Sequence, residues 1–453
     1  MTDHNHTGNT PCTFSSLPQT EGQGGQRVPR RVSWLWLPSL SFSDGVSMAV
    51  VVLLLVMLRR FGLNNSQTTL VLALLCIPFS LRPLLEKVVA HFRGTTKVWI
   101  LTSEFISALA LWGVAFVIPT PYRLEGTLCL LPFFTFSIVL HRIAVERFYL
   151  PLCPPLPGLH TLIVKLFRGV SMLFGIGCMA MVAGNMEVLT RNIRYSWSLV
   201  FYVMAGIFFF LWLWHSIFLP VRPHPAYPES DLFGLHKGEY EEALNGILAG
   251  SSNRVSLLLM ASFALAASFP LLGIPLFVID MPHNGGLGMS PQEFALIVGT
   301  VSVGAVFFGN VLGTSLCRKY GLRLCLLPMT VLFSGPSLAA LYMSFNLSVS
   351  LAIVCLLFSI AGVAAGVGFA ALSAVTARFA ASGRGEVCRR SVMLGVMAVV
   401  ETLCGGMTGI LEENIGYRQF FVMSSWMYVV PVIVAVMYIF EHKLHESFRR
   451  NYN

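Results

Sequence analysis

Ionisable side chains lie inside long apolar stretches of this 453-residue chain, where they are costly. A charge placed in hydrocarbon costs several kcal/mol unless it is paired or wetted, so each one is a candidate for function. Basic and imidazole groups of this kind bind anionic solutes, whereas acids accept and release protons. The basic candidates for solute binding are Arg82, His141, Arg142, Lys165 and Arg168, and the acidic candidates for proton transfer are Asp44, Glu104, Glu146 and Glu401.

The spacing of these residues separates paired charges from unpaired ones. Arg82 and Glu86 are four residues apart, as are Arg142 and Glu146, so each pair could neutralise itself on one helix face. Lys165 and Arg168 are three apart and carry the same sign, so they need a counter-charge. Either acids such as Asp44 and Glu146 approach them, or an anionic ligand does. The spacing therefore predicts a water-filled basic cavity.

The acids allow two interpretations each. Asp44 could accept and release a proton, or it could be the permanent counter-ion of the cations 121 to 124 residues further on. Glu104 and Glu401 stand alone in apolar surroundings, where burial favours the neutral carboxyl. Either one could carry a proton, and either could instead be satisfied by a neighbouring helix.

The amino-acid composition indicates the class of protein to which these residues belong. Hydrophobic residues make up 55% and charged residues only 11% of the chain, and the mean hydropathy is +0.72. Soluble proteins have roughly 25% charged residues, so the outer surface must face lipid. A soluble enzyme, a nucleic-acid-binding protein, a disordered chain and a secreted disulfide scaffold are all excluded. The net charge of +9 is scattered rather than gathered into a patch, and no metal or other cofactor is expected.

Segments of about 20 apolar residues, the length of a membrane-spanning helix, recur along the chain. A long polar break at 220–253 divides them into six and six. The sequence thus predicts an all-α membrane protein of two six-helix bundles, 34–219 and 254–440, joined by a linker at 220–253 and flanked by a disordered tail over 1–33 and a short tail over 441–453. The twelve predicted spans are 35–58, 67–90, 98–118, 124–145, 161–184, 196–219, 254–279, 292–316, 324–343, 349–377, 392–413 and 418–440.

The distribution of Lys and Arg predicts the orientation. If the N-terminus is cytoplasmic, the basic residues between spans concentrate in the cytoplasmic segments, and only a few fall in the external loops. Cytoplasmic loops carry such an excess in membrane proteins. Both termini, the linker and both tails are therefore predicted to be cytoplasmic.

A weak internal repeat supports two related halves. A Gly-Leu turn and then Ser66 precede the second span, and the same turn and Ser290 precede the eighth, with each serine predicted to cap its helix. Spans seven to ten contain almost no internal charge but are rich in Gly and Ala, as over 299–313 and 361–371. The first half should then hold the binding chemistry, and the second should be a wall that moves against it.

Several short stretches, in the same order along the chain, resemble the AmpG-like muropeptide permeases of the major facilitator superfamily, particularly those of Bacteroidetes-type bacteria. They are Phe42–Gly45, Ile77–Leu84, His141–Tyr149, Tyr195–Tyr202 and Gly409–Phe421. The resemblance implies the major facilitator fold and proton-driven import, across the inner membrane, of N-acetylglucosaminyl-anhydromuramyl peptides for cell-wall recycling. That cargo is an anion bearing sugars, which suits Lys165 and Arg168. The chain departs from the family pattern at Ala90 and Arg142, where relatives carry acids, and at Cys317, where an Asp is usual.

Three alternatives remain open at this point. A permease for another anion, such as an iron chelate or a nucleotide-like solute, would use the same basic cavity. A multipass membrane enzyme would gather several Asp or His residues at one interface, but only His141 and Glu146 are close in sequence. A membrane sensor would need a sizeable soluble domain. A monomer that carries a small anion and protons across a bilayer is the favoured interpretation.

Overall fold

The computed structural model describes residues 33–91, 95–149, 158–221, 245, 250–381 and 386–451, and their regular structure is entirely helical. The predicted tail over 1–33 and linker over 220–253 lie almost wholly outside the described residues, as do 452–453, so these domain limits remain predictions. Large apolar side chains such as Leu74, Trp112 and Phe133 are exposed along the helices. The outer surface is therefore apolar, as the composition requires of a protein that faces lipid.

The first half contains eight helical pieces. The sixth and seventh form one rod, because a π-helical segment at Leu173–Cys178 joins them without a break. The pieces are α1 Ser33–Arg60, α2 Asn65–Ser80, α3 Arg82–His91, α4 Thr96–Val117, α5 Arg123–Tyr149, α6 Gly158–Met172, α7 Met179–Thr190 and α8 Ile193–Phe218.

The second half repeats this pattern, and a second π-helical segment, Ala295–Ser302, joins its second and third pieces. The pieces are α9 Ser251–Ile279, α10 Pro291–Phe294, α11 Val303–Tyr320, α12 Leu322–Leu332, α13 Gly335–Phe345, α14 Leu351–Ala381, α15 Glu386–Met427 and α16 Val429–Asn451.

The described residues contain ten helices long and apolar enough to cross a membrane, or eleven if α2 and α3 count as one span bent by 44°. The chain is thus an all-helical, multi-pass membrane protein. One of the ten extends over 54 residues, Cys388–Glu441, and is interrupted at Gly416, whose φ of +75° breaks the helix. The count of twelve spans and the orientation of the termini stay predictions.

Two ends of the helix bundle are distinguished below. The proximal end is the one at which α1 begins, and the distal end is the one at which α1 finishes, at Arg60. Ion pairs place Asp280, which follows α9, and Glu187 of α7 at the distal end beside Arg59 and Arg60.

Two capping boxes at the distal end support the internal repeat. Asn64 accepts a hydrogen bond from the backbone of Gln67 and caps α2, and Ser290 caps α10 in the same way with Glu293. The prediction for Ser290 is confirmed. The prediction for Ser66 is wrong, because Asn64 occupies the cap position and Ser66 instead bonds to Glu413 of the other half.

Small residues in the second half allow its helices to pack closely, as the sequence predicts. α11 lies against α14, and a Cβ atom added to Gly309 would stand 2.1 Å from the carbonyl oxygen of Val363. Backbones this close leave no room for a side chain, so glycine is required at this crossing.

Candidate functional site

A cavity of about 650 Å³ lies between the two halves. Its walls come from α1, α2, α3, α5 and α6 of the first half and from α9 and α15 of the second. It reaches solvent towards the proximal end, where Arg168 has 55% and Arg390 has 40% of its side chain exposed. The walls are mostly apolar, and the ionisable side chains among the lining residues are Asp44, Cys76, Arg82, His141, Arg142, Glu146, Arg168, Arg390 and Glu401.

Two arginines hold the carboxylate of Asp44. The Nε atom of Arg142 donates to Oδ1 of Asp44 over 2.5 Å, and Arg168 donates to the other oxygen. The guanidinium of Arg142 also lies 5.9 Å from the centre of the Phe79 ring, on the cavity wall. Asp44 is buried, so this arrangement keeps its charge neutralised without water.

Two arginines also hold Glu146, one from each half of the protein. Arg82 donates to Oε2 of Glu146, and Nε of Arg390, from α15, lies 3.5 Å from the same oxygen. Arg82 further donates to Ser391 over 3.4 Å. The proximal part of the cavity wall is therefore bridged across the two halves by ion pairs.

The predicted ion pairs within single helices are wrong. Arg82 pairs with Glu146 rather than Glu86, and Glu86 pairs with Arg147 at 3.3 Å. Arg142 pairs with Asp44 rather than Glu146. The physical reason is that facing helices offer these side chains partners across the bundle, so a spacing of four residues does not decide the pairing.

In each of the two clusters, the arginines outnumber the carboxylate by two to one. Asp44 and Glu146 are each matched by two guanidinium groups, which leaves one positive charge in excess in each cluster. A cavity with apolar walls strengthens the attraction of such a charge for an anion, because the local dielectric constant is lower than that of water.

Glu401 is the acid that the second half contributes to the cavity. It lies on α15, partly buried, and makes no hydrogen bond or salt bridge to the residues that the structure describes. Thr402 and Ser268 are the uncharged polar side chains that the same half contributes to the lining. The first half thus supplies most of the polar wall, as the sequence predicts, although Arg390 and Glu401 belong to the second.

Two of the predicted site residues do not line the cavity. Lys165 donates to Thr314 of α11 over 2.5 Å and so bridges the two halves beside the cavity. Glu104 is buried inside the first half. The cavity therefore contains Arg168 without Lys165, because Lys165 turns towards the second half instead.

Glu104 is not the isolated acid that the sequence suggests. Nδ1 of His215, on α8, lies 2.7 and 2.9 Å from its two oxygens, and Ser43 donates to it over 3.2 Å. His141 lies 3.9 Å away, and its own Nδ1 is 3.3 Å from the hydroxyl of Ser103. Sequence reasoning missed His215, although an ionisable residue inside the apolar run before Phe218 was a usable signal.

A second network closes the distal end. Asp280 accepts hydrogen bonds from Arg59, from the Nδ2 atom of Asn65 at 2.6 Å and from the hydroxyl of Tyr417 at 2.7 Å. The same Nδ2 atom lies 2.6 Å from Glu412. This network joins α1 and α2 of the first half to α9 and α15 of the second.

Tight backbone contacts close the same end of the interface. A Cβ atom on Gly409 would stand 2.2 Å from the carbonyl oxygen of Asn65, and one on Gly299 would stand 2.5 Å from the Cα atom of Gly177. Gly177 and Gly299 belong to the two π-helical segments. Such segments are frequent at functional sites, and here they face each other across the two halves.

No group of three or more His, Cys, Asp or Glu side chains in the described part of the chain is arranged to hold a metal ion. Free cysteines are scattered over both halves, and Cys76 lines the cavity. The chemistry available at the site is therefore that of guanidinium, carboxylate and imidazole groups.

The fold of this chain is similar to those of several solved structures. A bacterial homologue of the human lysosomal transporter Spinster, in an inward-facing and unoccupied conformation, is 18% identical and matches 92% of this chain and 97% of its own, with a TM-score of 0.61. A POT family transporter in complex with 5-aminolevulinic acid is 13% identical over 91% and 96%, with a TM-score of 0.66. The nucleoside transporter NupG is 14% identical over 90% and 98%, with a TM-score of 0.60.

These likenesses extend over nearly the whole chain and give it the major facilitator fold. No protein-family model matches the sequence, and no curated protein matches it. The similarity is thus one of structure rather than of sequence.

Proposed function

We propose that this protein is a secondary transporter that carries an anionic solute through the cavity between its two halves. The observation that carries the proposal is the pair of clusters in which two arginines surround one carboxylate on the cavity wall. The positive excess attracts an anion, and the apolar walls accommodate its uncharged parts. The solved structures with this fold that are named above are all described as transporters.

The arrangement of the two ends fits alternating access. The distal end is sealed by the Asp280 network and by backbone contacts at Gly299 and Gly409, whereas Arg168 and Arg390 are accessible near the proximal end. Two halves that rock about the site would expose it to one side and then to the other. If the proximal end is cytoplasmic, as the distribution of basic residues predicts, this is an inward-facing state.

The cargo we propose is an anhydro-muramyl peptide, imported across the inner membrane together with protons. This rests on the resemblance to AmpG-like permeases and on the need for an anionic solute at Arg142 and Arg168. The cavity of about 650 Å³ falls in the range of roughly 300–1,000 Å³ that is usual for small-molecule sites. The second candidate is another anion, such as an iron chelate or a nucleotide-like solute, because the excess charge alone does not distinguish among anions.

Uptake by the purified full chain in proteoliposomes tests the proposal. Radiolabelled N-acetylglucosaminyl-anhydromuramyl tripeptide is expected to enter, and Arg168→Ala should lower uptake about tenfold, since a charged hydrogen-bonding group contributes roughly 1.5–3 kcal/mol. Arg194→Ala is the matched control, because Arg194 is exposed at the start of α8 away from the cavity. Equal uptake by both variants would remove Arg168 from the site.

A panel of anions then identifies the cargo. Thermal stabilisation of the purified protein by muropeptides, nucleotides and iron chelates ranks them directly, because a ligand that binds only the folded state raises its stability. Stabilisation by a nucleotide or an iron chelate with none by any wall fragment would replace the first cargo by the second. Stabilisation by no anion would reject anion transport itself.

A further inference from the structure

In the buried network behind the cavity, Glu104 and His215 share one proton. Ser39 donates its hydroxyl proton to the carbonyl oxygen of Trp36 over 3.0 Å, so it must accept from Nε2 of His215, which is 2.8 Å away. Nδ1 of His215 then faces the carboxyl oxygens of Glu104 at 2.7 and 2.9 Å. A stable contact this short needs one proton between the two groups, either on the imidazole or on the carboxyl. The Glu104–His215 pair therefore holds one shared proton.

His141 stands between this pair and the cavity. Ser103 donates to the carbonyl oxygen of Ile100 over 2.8 Å, so its oxygen accepts from Nδ1 of His141 at 3.3 Å. We assign the proton of the neutral ring to Nδ1 from this network, because Nδ1 also has the carboxyl of Glu104 at 3.9 Å. Nε2 is then an acceptor, and it is buried with no hydrogen-bond partner among the described residues. His141 is also one of the cavity-lining residues, so the buried Nε2 atom belongs to a ring that forms part of the cavity wall.

The acids of the cavity clusters are poorly suited to carry a proton. Asp44 and Glu146 are each bound by two arginines, so both carboxylates already have cationic partners and a proton would have to displace them. Glu401 and Nε2 of His141 are the proton acceptors of the lining residues that have no hydrogen bond or ion pair among the residues described, and of these two only His141 has a further acid, Glu104, within 4 Å of its ring.

We propose that His141 takes up the coupling proton from the cavity, with the Glu104–His215 pair behind it as a partner that stabilises the resulting imidazolium. This inference rests on the proposed transport function and names the residue that couples it to protons. In the loading step a protonated water in the cavity gives its proton to Nε2, an O–H bond breaks and an N–H bond forms. The imidazolium then has Glu104 at 3.9 Å from its Nδ1 atom.

Four charged or titratable groups interact with His141. They are Asp44 from α1, Glu104 from α4, His215 from α8 and Arg142 beside it on α5. Because Asp44 is matched by two arginines and Glu104 by His215, a proton on His141 adds one positive charge to the cavity wall. That charge favours binding of an anion, and by thermodynamic linkage a bound anion favours the proton equally. This reciprocity is what symport of an anion with a proton requires.

The charge state of His141 is measured without any solute. The full-length protein, labelled with ¹⁵N-histidine and placed in lipid nanodiscs, is titrated while the ring nitrogens are observed by NMR. His141→Gln identifies the signal of His141, and His283→Gln is the matched control on an exposed residue beyond α9. His141 is expected to change from a neutral Nδ1–H ring to an imidazolium as the pH is lowered. Glu104→Gln should reduce the imidazolium signal of His141 at any given pH of the titration.

A His141 ring that stays neutral down to about pH 5, or a signal unaffected by Glu104→Gln in a correctly folded variant, would overturn the proposal. Neither result depends on transport. Conversely, a titrating His141 in a protein that transports no anion would reject the proposed function and leave the proton site in place.

Transport assays provide a second test once the cargo has been identified. With labelled anhydromuramyl tripeptide, His141→Gln should lose accumulation driven by a proton gradient by about tenfold or more, yet retain exchange of external for internal solute, since exchange needs no net proton movement. Gradient-driven accumulation at the wild-type level would contradict the role of His141. Loss of both modes, with a normal thermal unfolding temperature, would assign His141 to solute binding and overturn the coupling role.

Discussion

The cavity and the distal end of this protein use the same kinds of side chain in opposite proportions. In the cavity, each of two carboxylates is matched by two arginines. At the distal end, Asp280 and Glu412 gather around one arginine, Arg59, and share the amide of Asn65. The first arrangement leaves an excess of positive charge near solvent, and the second encloses more acidic side chains than arginines in a closed contact.

This difference indicates how the two regions divide their tasks. A positive excess that solvent reaches can be completed by an anion, so the cavity clusters are suited to bind a solute. Acidic side chains enclosed between the halves offer an anion no cationic partner, and they are stabilised only while their hydrogen-bond donors stay in place. Binding and closure are therefore carried by separate networks, and changes in either one should be distinguishable.

Arg142→Ala should give the largest change. It leaves Asp44 with Arg168 alone and removes a guanidinium from the cavity wall. Breaking a buried charge pair costs about 3 kcal/mol or more, which corresponds to roughly 100-fold in a rate or a binding constant. Uptake of the labelled muropeptide should fall by that factor, whereas Arg194→Ala should leave it unchanged. A fall of less than threefold would exclude Arg142 from the binding machinery.

Gly299→Ala should weaken closure without touching the cavity charges. Its Cβ atom would collide with the backbone of Gly177, which cannot move aside as a flexible side chain would. Gly304→Ala is the matched control, because nothing lies within 4 Å of a Cβ atom at Gly304. Spin labels at positions 191 and 283, in a background without cysteines, should report a wider distal end for Gly299→Ala only, and uptake should fall about tenfold.

If the two glycine variants widened the distal end equally, the backbone contact between the π-helical segments would not be part of the closure. The same distance measurement on Gly409→Ala, whose Cβ atom would collide with the carbonyl oxygen of Asn65, tests the other close backbone contact between the halves.

Asp280→Asn should loosen the distal end more gently. The amide still accepts from Tyr417 and Asn65, but the ion pair with Arg59 is lost. A charged hydrogen bond is worth about 1.5 kcal/mol or more, so the closed state should become about tenfold less favoured. A cysteine introduced for Ser268, which lines the cavity, should then react faster with a thiol reagent added from the distal side. An unchanged rate would show that the network does not hold that end closed.

Glu146→Gln should have the smallest effect and the opposite sign. It frees Arg82 and Arg390 from their common acid and so raises the positive excess of the cavity. Because Glu146 is partly exposed, the gain should be near 1 kcal/mol, or about fivefold tighter anion binding. Isothermal titration with the muropeptide measures it, and weaker binding would contradict the charge-excess argument.

Much of the helical frame could be predicted from the sequence. Apolar runs located most of the membrane helices, because a buried or lipid-facing helix has no alternative to an apolar composition, but ten or eleven candidate spans are described where twelve were predicted. Asp44, Arg82, His141, Arg142, Glu146, Arg168 and Glu401 were also found, and all of them line the cavity. Because a charged side chain in hydrocarbon is energetically costly, these residues could be identified as candidates without knowledge of their partners.

The ion pairs between charged side chains could not be predicted, because they depend on which helices face each other. Arg82 and Arg142 lie one turn from an acid on their own helices but bond to acids across the bundle. Lys165 belongs to a basic pair in sequence, yet it turns to Thr314. The distal network was missed for another reason. Asp280 and Glu412 fall at the ends of apolar runs, where an acid is ordinarily solvated, so neither was a candidate for function on the basis of the sequence.

The most direct test of the account compares an anionic muropeptide with its uncharged counterpart. Binding of N-acetylglucosaminyl-anhydromuramyl tripeptide and of the same compound with its carboxyl groups esterified is measured on the wild-type protein and on Arg142→Ala. Wild type should bind the anion at least about tenfold more tightly than the ester, and Arg142→Ala should abolish most of that preference. Equal binding of both compounds by the wild type would contradict a cavity whose arginine excess recognises an anion.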